Sequence, residues 1–115
     1  AVLEFTKGYG DKFALETDPF MAASGADILI TDIWTSMGEE AEKEERKKIF
    51  KDYQINRQLL AAANAGAMVQ HCLPAYRGQE ITEEVFEEHA DEIFNEAENR
   101  LHAQKAVMVK LMKKD

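Results

Sequence analysis

Three short stretches of this chain carry side chains suited to binding and activating a small polar molecule. They are DIWTSMG (Asp32–Gly38), HCLPAYRG (His71–Gly78) and NEAENRLHAQ (Asn95–Gln104). A carboxylate in the first can hold an ammonium group, the thiol and imidazole of the second are potential reactive groups, and the guanidinium of the third can bind an anion. The pattern predicts a site for a zwitterionic or anionic ligand.

In the first stretch, Asp32 can bind the ammonium group of an amino acid. The Ser36 hydroxyl and the backbone N–H of Met37 can then hold its carboxylate. A structural role accounts for the same residues, because Ser36 has the spacing of a helix cap with Glu39 and Asp32 can accept from nearby backbone donors. Local sequence leaves both interpretations open.

Cys72 is the single cysteine of the chain and directly follows His71. A Cys–His catalytic pair is disfavoured, since adjacent residues of a strand point to opposite faces of the sheet. A buried cysteine acting as a small apolar residue is the alternative. The three histidines and one cysteine show no spacing typical of a metal site, so we predict no metal.

Arg100 is expected in the first turn of the last helix, where a cation opposes the helix dipole. An unfavourable position of this kind indicates a ligand-binding role, with an anion or a carbonyl oxygen as the partner. An exposed side chain, or an ion pair with Glu96, explains the residue equally well.

Short apolar or alternating segments predict four strands that would carry these stretches at their carboxyl ends. The predicted strands are Phe13–Thr17, residues 27–32, residues 67–72 and Glu92–Phe94.

Helical patterns separate these strands. Asp18 and Pro19 begin a helix that stops at Gly25, Ser36 begins one that ends near Lys51, and others cover residues 56–64, the segment after Thr82, and residues 97–114. Alternation of this kind predicts an α/β fold with three layers, a parallel sheet of about four strands and helices on both faces.

Composition narrows the class of protein. The 115 residues fit one domain, and 22 acidic against 14 basic side chains give a formal charge of −8, which argues against a nucleic-acid partner. One cysteine precludes an internal disulfide, and no apolar run is long enough to span a membrane. We expect a soluble, cytoplasmic protein with no membrane partner.

The three stretches occur together and in this order, and over roughly residues 11–113 the chain resembles the C-terminal half of an ornithine carbamoyltransferase. The resemblance implies an incomplete Rossmann-like ornithine-binding domain. It also implies transfer of the carbamoyl group of carbamoyl phosphate to the δ-amino group of L-ornithine, giving L-citrulline and phosphate in arginine metabolism. That chemistry needs neither metal nor organic cofactor.

The resemblance also assigns roles to individual residues. Asp32 and the Ser36–Met37 pair hold the α-amino and carboxylate end of ornithine, and Arg100 reaches carbamoyl phosphate. The turn that contains His71, Cys72 and Leu73 lies at the reacting centre, with Cys72 and Arg100 as the catalytic residues. In this role Cys72 orients the substrate and is not a nucleophile.

The family's Ser-Thr-Arg-Thr phosphate loop and the opening strand of its ornithine domain are missing from the sequence. Residues 1–115 therefore read as a single partial domain without the carbamoyl phosphate-binding domain. We expect the isolated chain to bind ornithine weakly, to be inactive, and to have a loosened fold or to self-associate through strand edges. Members of the family form homotrimers, so other copies of the chain are one candidate partner. The missing N-terminal half is a second candidate partner.

Two other functions are compatible with the sequence. One is a carbamoyltransferase for a related acceptor such as acetylornithine or putrescine, which the SMG loop and Asp32 disfavour. The other is a non-catalytic α/β module, natural or engineered, that keeps the three stretches only as scaffold.

Overall fold

A computed structural model gives the fold and describes residues 1–35 and 42–113. The helices are α1 (Val2–Thr6), α2 (Pro19–Ala23), α3 (Lys43–Phe50), α4 (Arg57–Ala62), α5 (Glu83–Glu88) and α6 (Ala90–Met112). The strands are β1 (Ile28–Thr31) and β2 (Met68–His71), and short 3₁₀ helices cover Lys7–Lys12 and Lys51–Tyr53. Within the described residues, no helix is both long enough and apolar enough to cross a membrane.

The two strands form a parallel pair. Ile28 lies opposite Met68 at one end and Thr31 opposite His71 at the other. Parallel strands require a crossover, and here α3 and α4 lie in the connection. The carboxyl ends of both strands therefore lie side by side, and the residues that follow Thr31 and His71 meet at one edge of the sheet.

The core forms where the sheet meets the helices that flank it. Helix α6 packs on β2, and α2 packs on α4. Val69 at the centre of β2 and Ile93 in the first turns of α6 are both fully buried. The buried apolar cluster consists of Ala23, Leu29, Ile55, Leu59, Val69, Ile81, Val85, Phe86 and Ile93.

Helix starts follow the predicted capping chemistry. The Asp18 carboxylate accepts from the backbone N–H groups of Phe20 and Met21 at 2.9 and 3.3 Å, and Pro19 occupies the first position of α2. Thr82 caps α5 in the same way, and Asn56 caps α4. Gly25, with φ of 71°, follows α2 in the left-handed conformation that glycine adopts without steric cost. The predicted cap at Asp18, the helix stop at Gly25 and the predicted helix starts near Asn56 and Thr82 are confirmed.

The α/β class with a parallel sheet is confirmed, but the predicted number of strands is wrong. The described residues contain two strands, where the sequence predicted about four. Phe13–Thr17 is not a strand, although Phe13 has an extended backbone with φ of −135° and ψ of 128°. A strand needs a hydrogen-bonded neighbour, and the described part of the chain offers this segment none.

The fourth predicted strand, Glu92–Phe94, is also wrong, because these residues lie inside α6. The backbone N–H of Val69, on the edge of β2 away from β1, donates to Glu92 Oε2 at 2.8 Å. A carboxylate on α6 therefore binds the outer edge of β2.

The remaining helices match in position but differ in extent. The last helix begins at Ala90 instead of Ala97, and the helix predicted from Ser36 to about Lys51 is observed as α3, Lys43–Phe50. The predicted cap at Ser36 lies outside the described residues.

Candidate active site

The edge formed by the carboxyl ends of the strands brings together side chains from two of the three stretches. Asp32 follows β1, His71 ends β2 and Cys72 follows it. A carboxylate oxygen of Asp32, a ring nitrogen of His71 and the sulfur of Cys72 all lie within 4.8 Å of one another. The sheet register, which places Thr31 beside His71, is the cause of this proximity.

His71 is completely buried, and both of its ring nitrogens have partners. The backbone N–H of Leu73 donates to Nδ1 at 3.0 Å, and Nε2 lies 3.1 Å from Glu80 Oε1. A ring nitrogen that already accepts from Leu73 is not free to take a proton from Cys72. The hydrogen bonding therefore disfavours a Cys–His pair, as strand geometry did.

Cys72 is partly buried, and its surroundings favour the neutral thiol. Burial raises the pKa of the thiol most, and hydrogen bonding to Asp32 and the charges of Asp32 and Glu96 raise it further; Arg100 acts in the opposite direction. Reactivity of a cysteine depends on the thiolate, so a raised pKa opposes a nucleophilic role. What this thiol offers is a hydrogen-bond donor beside a carboxylate.

Asp32 itself is exposed at the end of β1. Its Oδ1 accepts from the backbone N–H of Ile33 at 2.7 Å, as the structural interpretation of this residue predicted. A carboxylate has about four acceptor positions, so this contact leaves capacity for an ammonium group. The structural and ligand-binding roles of Asp32 are therefore compatible.

Arg100 lies on α6, but not where the sequence placed it. Because the helix begins at Ala90, Arg100 is in its middle and the predicted opposition to the helix dipole is wrong. The side chain is exposed and forms no hydrogen bond or ion pair with any described residue, including Glu96 one turn before it. Its effect on the pKa of Cys72 nevertheless places its charge within electrostatic range of the sheet edge.

The other predicted residues have different outcomes. Leu73 has φ of 56° and packs against the core. Ser36 and Met37 lie outside the described residues. The proposed carboxylate-binding part of the first stretch is therefore not described by the structure.

Asp32, His71 and Cys72 form the one described group with a donor set able to hold a metal ion. Zinc would place each donor about 2.0 to 2.3 Å from the metal. His71 could then ligate only by giving up its contact with Leu73 or with Glu80. The hydrogen bonding of the ring therefore argues against a metal here.

Two acidic residues have buried carboxylate oxygens that the sequence did not predict. Glu80 is fully buried against His71, and Glu96 has a buried Oε2 without a hydrogen-bond partner among the described residues. Glu80 stands in GQEITEE, where the next acidic residues, Glu83 and Glu84, are exposed. No local pattern distinguishes the buried glutamate from its neighbours, since its partner is nine residues away.

Known proteins resemble this chain over almost its whole length. The family described as aspartate/ornithine carbamoyltransferase, Asp/Orn binding domain, matches residues 1–111. The ornithine carbamoyltransferase of Methanosarcina mazei is 54% identical over 111 residues, which are 96% of this chain and 37% of that protein.

Solved structures give the same result. The anabolic ornithine carbamoyltransferase of Campylobacter jejuni is 50% identical with a TM-score of 0.81, covering 84% of this chain and 32% of that one. An acetylornithine transcarbamylase complexed with acetylcitrulline is less similar, at 30% identity and a TM-score of 0.64, with 84% of this chain and 30% of that one covered.

The chain thus spans about a third of the length of the relatives it matches. The family match extends over residues 1–111 and so includes all three stretches from which the site was predicted. The chain belongs to the aspartate/ornithine carbamoyltransferase family.

Proposed function

We propose that this chain is the ornithine-binding part of an ornithine carbamoyltransferase, and that the complete enzyme converts L-ornithine and carbamoyl phosphate to L-citrulline and phosphate. The observation that carries the proposal is the convergence of Asp32 and Cys72 at the sheet edge, with the charge of Arg100 acting on the same thiol. A carboxylate beside a neutral thiol, with a guanidinium whose charge acts on that thiol, suits an ammonium substrate and an anionic co-substrate.

Ornithine binding would use the acidic side of this cluster. Asp32 accepts from the α-ammonium group, while Ser36 and Met37 hold the carboxylate as the family resemblance implies. Cys72 and Leu73 then lie beside the δ-amino group. Because the surroundings keep the thiol neutral, the Cys72 sulfur accepts from an N–H of the δ-amino group. The nitrogen lone pair then stays free to face the carbonyl carbon, and no covalent intermediate forms.

The transfer step follows from this arrangement. The δ-ammonium group loses a proton, and its nitrogen then attacks the carbonyl carbon of carbamoyl phosphate. A C–N bond forms and the carbonyl oxygen becomes an oxyanion. As the C=O bond re-forms, the C–O bond to the phosphate breaks, and the leaving phosphate takes up the second proton released by the attacking nitrogen. Arg100 stabilises the oxyanion. Its guanidinium is exposed and has no hydrogen-bond or ion-pair partner among the described residues, so it is available for this contact.

The rest of the enzyme would supply the phosphate-binding groups. It would also cover the apolar side chains that this chain exposes, among them Ile30 at 69% and Leu111 at 80%. A homo-oligomer and a cytoplasmic location stay predictions of the resemblance. No cofactor is required by the proposed chemistry.

A chimera tests the function directly. The chain replaces the matching segment of the Methanosarcina mazei enzyme, and citrulline formation is measured against the isolated 115-residue chain. We expect activity in the chimera and none in the isolated chain. Within the chimera, Arg100→Ala should lower kcat by about 100- to 1,000-fold, as loss of one oxyanion donor does.

Lys105→Ala, on the same exposed stretch of α6, is the matched control and should leave kcat within about twofold. An active isolated chain would contradict its proposed inactivity, and an Arg100→Ala variant as active as the control would contradict the role of Arg100. A chimera that carbamoylates acetylornithine or putrescine faster than ornithine would support the alternative acceptor. If the chain is a non-catalytic module that keeps the three stretches only as scaffold, the chimera should fold but be inactive.

A further inference from the structure

Glu80 is a buried carboxylate that the proposed reaction does not use. Its side chain is completely inaccessible to solvent. Oε1 lies 3.1 Å from His71 Nε2 and accepts from the backbone N–H of Tyr76 at 2.5 Å, while Oε2 has no hydrogen-bond partner among the described residues. Burying a carboxylate costs free energy, and the contacts of Glu80 Oε1 offset part of that cost.

The first consequence concerns the imidazole of His71. The backbone N–H of Leu73 donates to Nδ1, which must therefore carry a lone pair and no proton. In the neutral ring the proton is then on Nε2, where it is donated to Glu80. Glu80 thus selects one tautomer of His71 and fixes the orientation of the ring.

The second consequence concerns the turn that follows β2. Leu73 adopts φ of 56°, a left-handed conformation that is unfavourable for a residue with a branched side chain. Its backbone N–H is held by the ring that Glu80 orients. Because Leu73 directly follows Cys72, a shift of this peptide moves the thiol relative to Asp32.

We propose that Glu80 is a positioning residue for carbamoyl transfer, acting through His71 and the Leu73 backbone to place Cys72. This proposal rests on the proposed function, because it assigns Glu80 a task within that reaction. Glu80 does not touch the substrate. Its contribution is to hold the turn in one conformation, so that the reacting groups start close to their productive geometry.

The backbone around Glu80 is anchored independently of its side chain. The N–H of Ile55 donates to the Glu80 carbonyl at 2.9 Å, and the N–H of Thr82 donates to the Ile55 carbonyl at 3.0 Å. The side chain can therefore be changed without removing the bonds that tie residues 80–82 to the rest of the chain. This separation makes the role of the carboxylate testable.

The first test uses the 115-residue chain and does not depend on activity. Nitrogen-15 shifts of the His71 ring should show the Nε2–H tautomer, and the Leu73 amide should exchange slowly with solvent. In Glu80→Ala we expect the single tautomer to be lost and Leu73 exchange to rise at least about tenfold, as expected when a hydrogen bond opens more often. Glu80→Gln keeps an acceptor at the Oε1 position and should preserve both signals.

The second test uses the chimera. Glu80→Ala should lower kcat by about 100-fold, the scale of a small misplacement of reacting groups, with a much smaller change in KM for ornithine. Glu80→Gln should restore most of kcat. Glu87→Ala, which removes an exposed carboxylate paired with Arg77 near the same turn, is the matched control and should leave kcat unchanged.

Glu80→Asp is the second variant, for use if Glu80→Ala does not fold. Its shorter side chain cannot reach both His71 and Tyr76, so it should also lower kcat and speed Leu73 exchange. The proposal is overturned by an Nδ1–H tautomer in the unaltered chain, by unchanged Leu73 exchange in the Ala and Asp variants, or by equal kcat for the Ala and Gln variants. An inactive chimera with the unaltered segment contradicts the proposed function instead, and the ring and amide signals still decide the role of Glu80.

Discussion

Helix α6 is continuous from Ala90 to Met112, yet only its first half contributes a residue to the buried core. In the first half, residues 90–100, Ile93 is fully buried and the Phe94 ring lies edge-on to Phe86 at a centroid distance of 6.0 Å. In the second half, residues 101–112, Leu111 and Met112 are 80% and 75% exposed. Continuity of a helix thus gives no information about whether its apolar residues are in a core.

The difference lies in what each half packs against. The first half lies along β2, and Glu92 binds the outer edge of that strand. Most helical stability in proteins comes from packing of this kind, not from propensity. The apolar residues of the second half, such as Leu111 and Met112, have no such surface to pack against among the described residues. Arg100, the residue of α6 proposed to act on the substrate, is the last residue of this first, buried half.

The largest expected effect compares a core residue with an exposed one on the same helix. Ile93→Ala should lower the free energy of unfolding by about 2 to 5 kcal/mol, because it removes buried methyl groups and leaves a cavity. Leu111→Ala should change it by at most about 0.5 kcal/mol. Urea unfolding of both variants of the 115-residue chain measures the difference.

Equal losses in the two variants would show that the second half is also packed in solution, for example against another copy of the chain. Sedimentation of the unaltered chain distinguishes that case from a monomer. The same measurement tests the expectation that unpaired strand edges promote self-association.

Sequence patterns identified the elements whose reasons are local. The branched run at Ile28–Thr31 and the apolar run before His71 were predicted as strands, and Asp18 and Thr82 were predicted as helix starts. Each prediction depends on residues within one turn or one strand, so the short-range pattern was sufficient.

The two strand predictions that failed depended on distant residues. Phe13–Thr17 alternates as a strand should, but the described chain has no neighbour for it. Glu92–Phe94 contains only two apolar residues after a glutamate, within 23 residues that contain neither glycine nor proline, and helix formation prevailed over this short signal. Because that prediction set the start of the last helix, the position of Arg100 within the helix was wrong as well.

For the candidate site, sequence predicted which residue types converge but not what holds them. Asp32 and Cys72 follow adjacent strands, so their proximity follows from a parallel sheet. The contact between His71 and Glu80 spans a turn whose conformation includes a left-handed Leu73. Nothing in a local pattern predicts such a backbone, and therefore nothing predicted the buried glutamate.

A smaller effect tests whether the end of the buried half of α6 faces the sheet edge. The pKa of Cys72 is raised by burial and by Asp32, and lowered by Arg100. Asp32→Asn should therefore lower this pKa and speed alkylation by iodoacetamide at pH 8 by up to about tenfold, since only the thiolate reacts and one pKa unit is a tenfold change. Arg100→Ala should slow alkylation.

Lys105→Ala, in the second half of α6, is the matched control for the Cys72 measurement. Its alkylation rate should equal that of the unaltered chain. If Arg100→Ala and Lys105→Ala behave identically, Arg100 does not lie near Cys72 in solution, and the boundary between the two halves of the helix needs to be moved toward Ala90.

The smallest expected effect concerns Glu92, which joins the buried half of α6 to the edge of β2. Burial acts to raise the pKa of this carboxyl, but hydrogen bonds from His89 and from the Val69 N–H outweigh it, and the pKa lies below its ordinary value. A carboxyl whose pKa is lowered by folding stabilises the folded state above its unfolded pKa of about 4.5. That contribution is lost as pH falls through the lower, folded pKa.

Glu92→Gln removes this titration but keeps an acceptor for Val69. The difference in unfolding free energy between the unaltered chain and Glu92→Gln should be present at about pH 5.5 and should shrink below about pH 4.5. Because the Glu92 side chain is 35% exposed, we expect this difference in unfolding free energy to be at most about 1 kcal/mol. Glu98→Gln, at a 69% exposed carboxylate in contact with His102, is the control. An acid dependence that follows Glu98 and not Glu92 would mean that α6 is not attached to β2 by this carboxylate, and the contrast between the two halves of the helix would then depend on Ile93 alone.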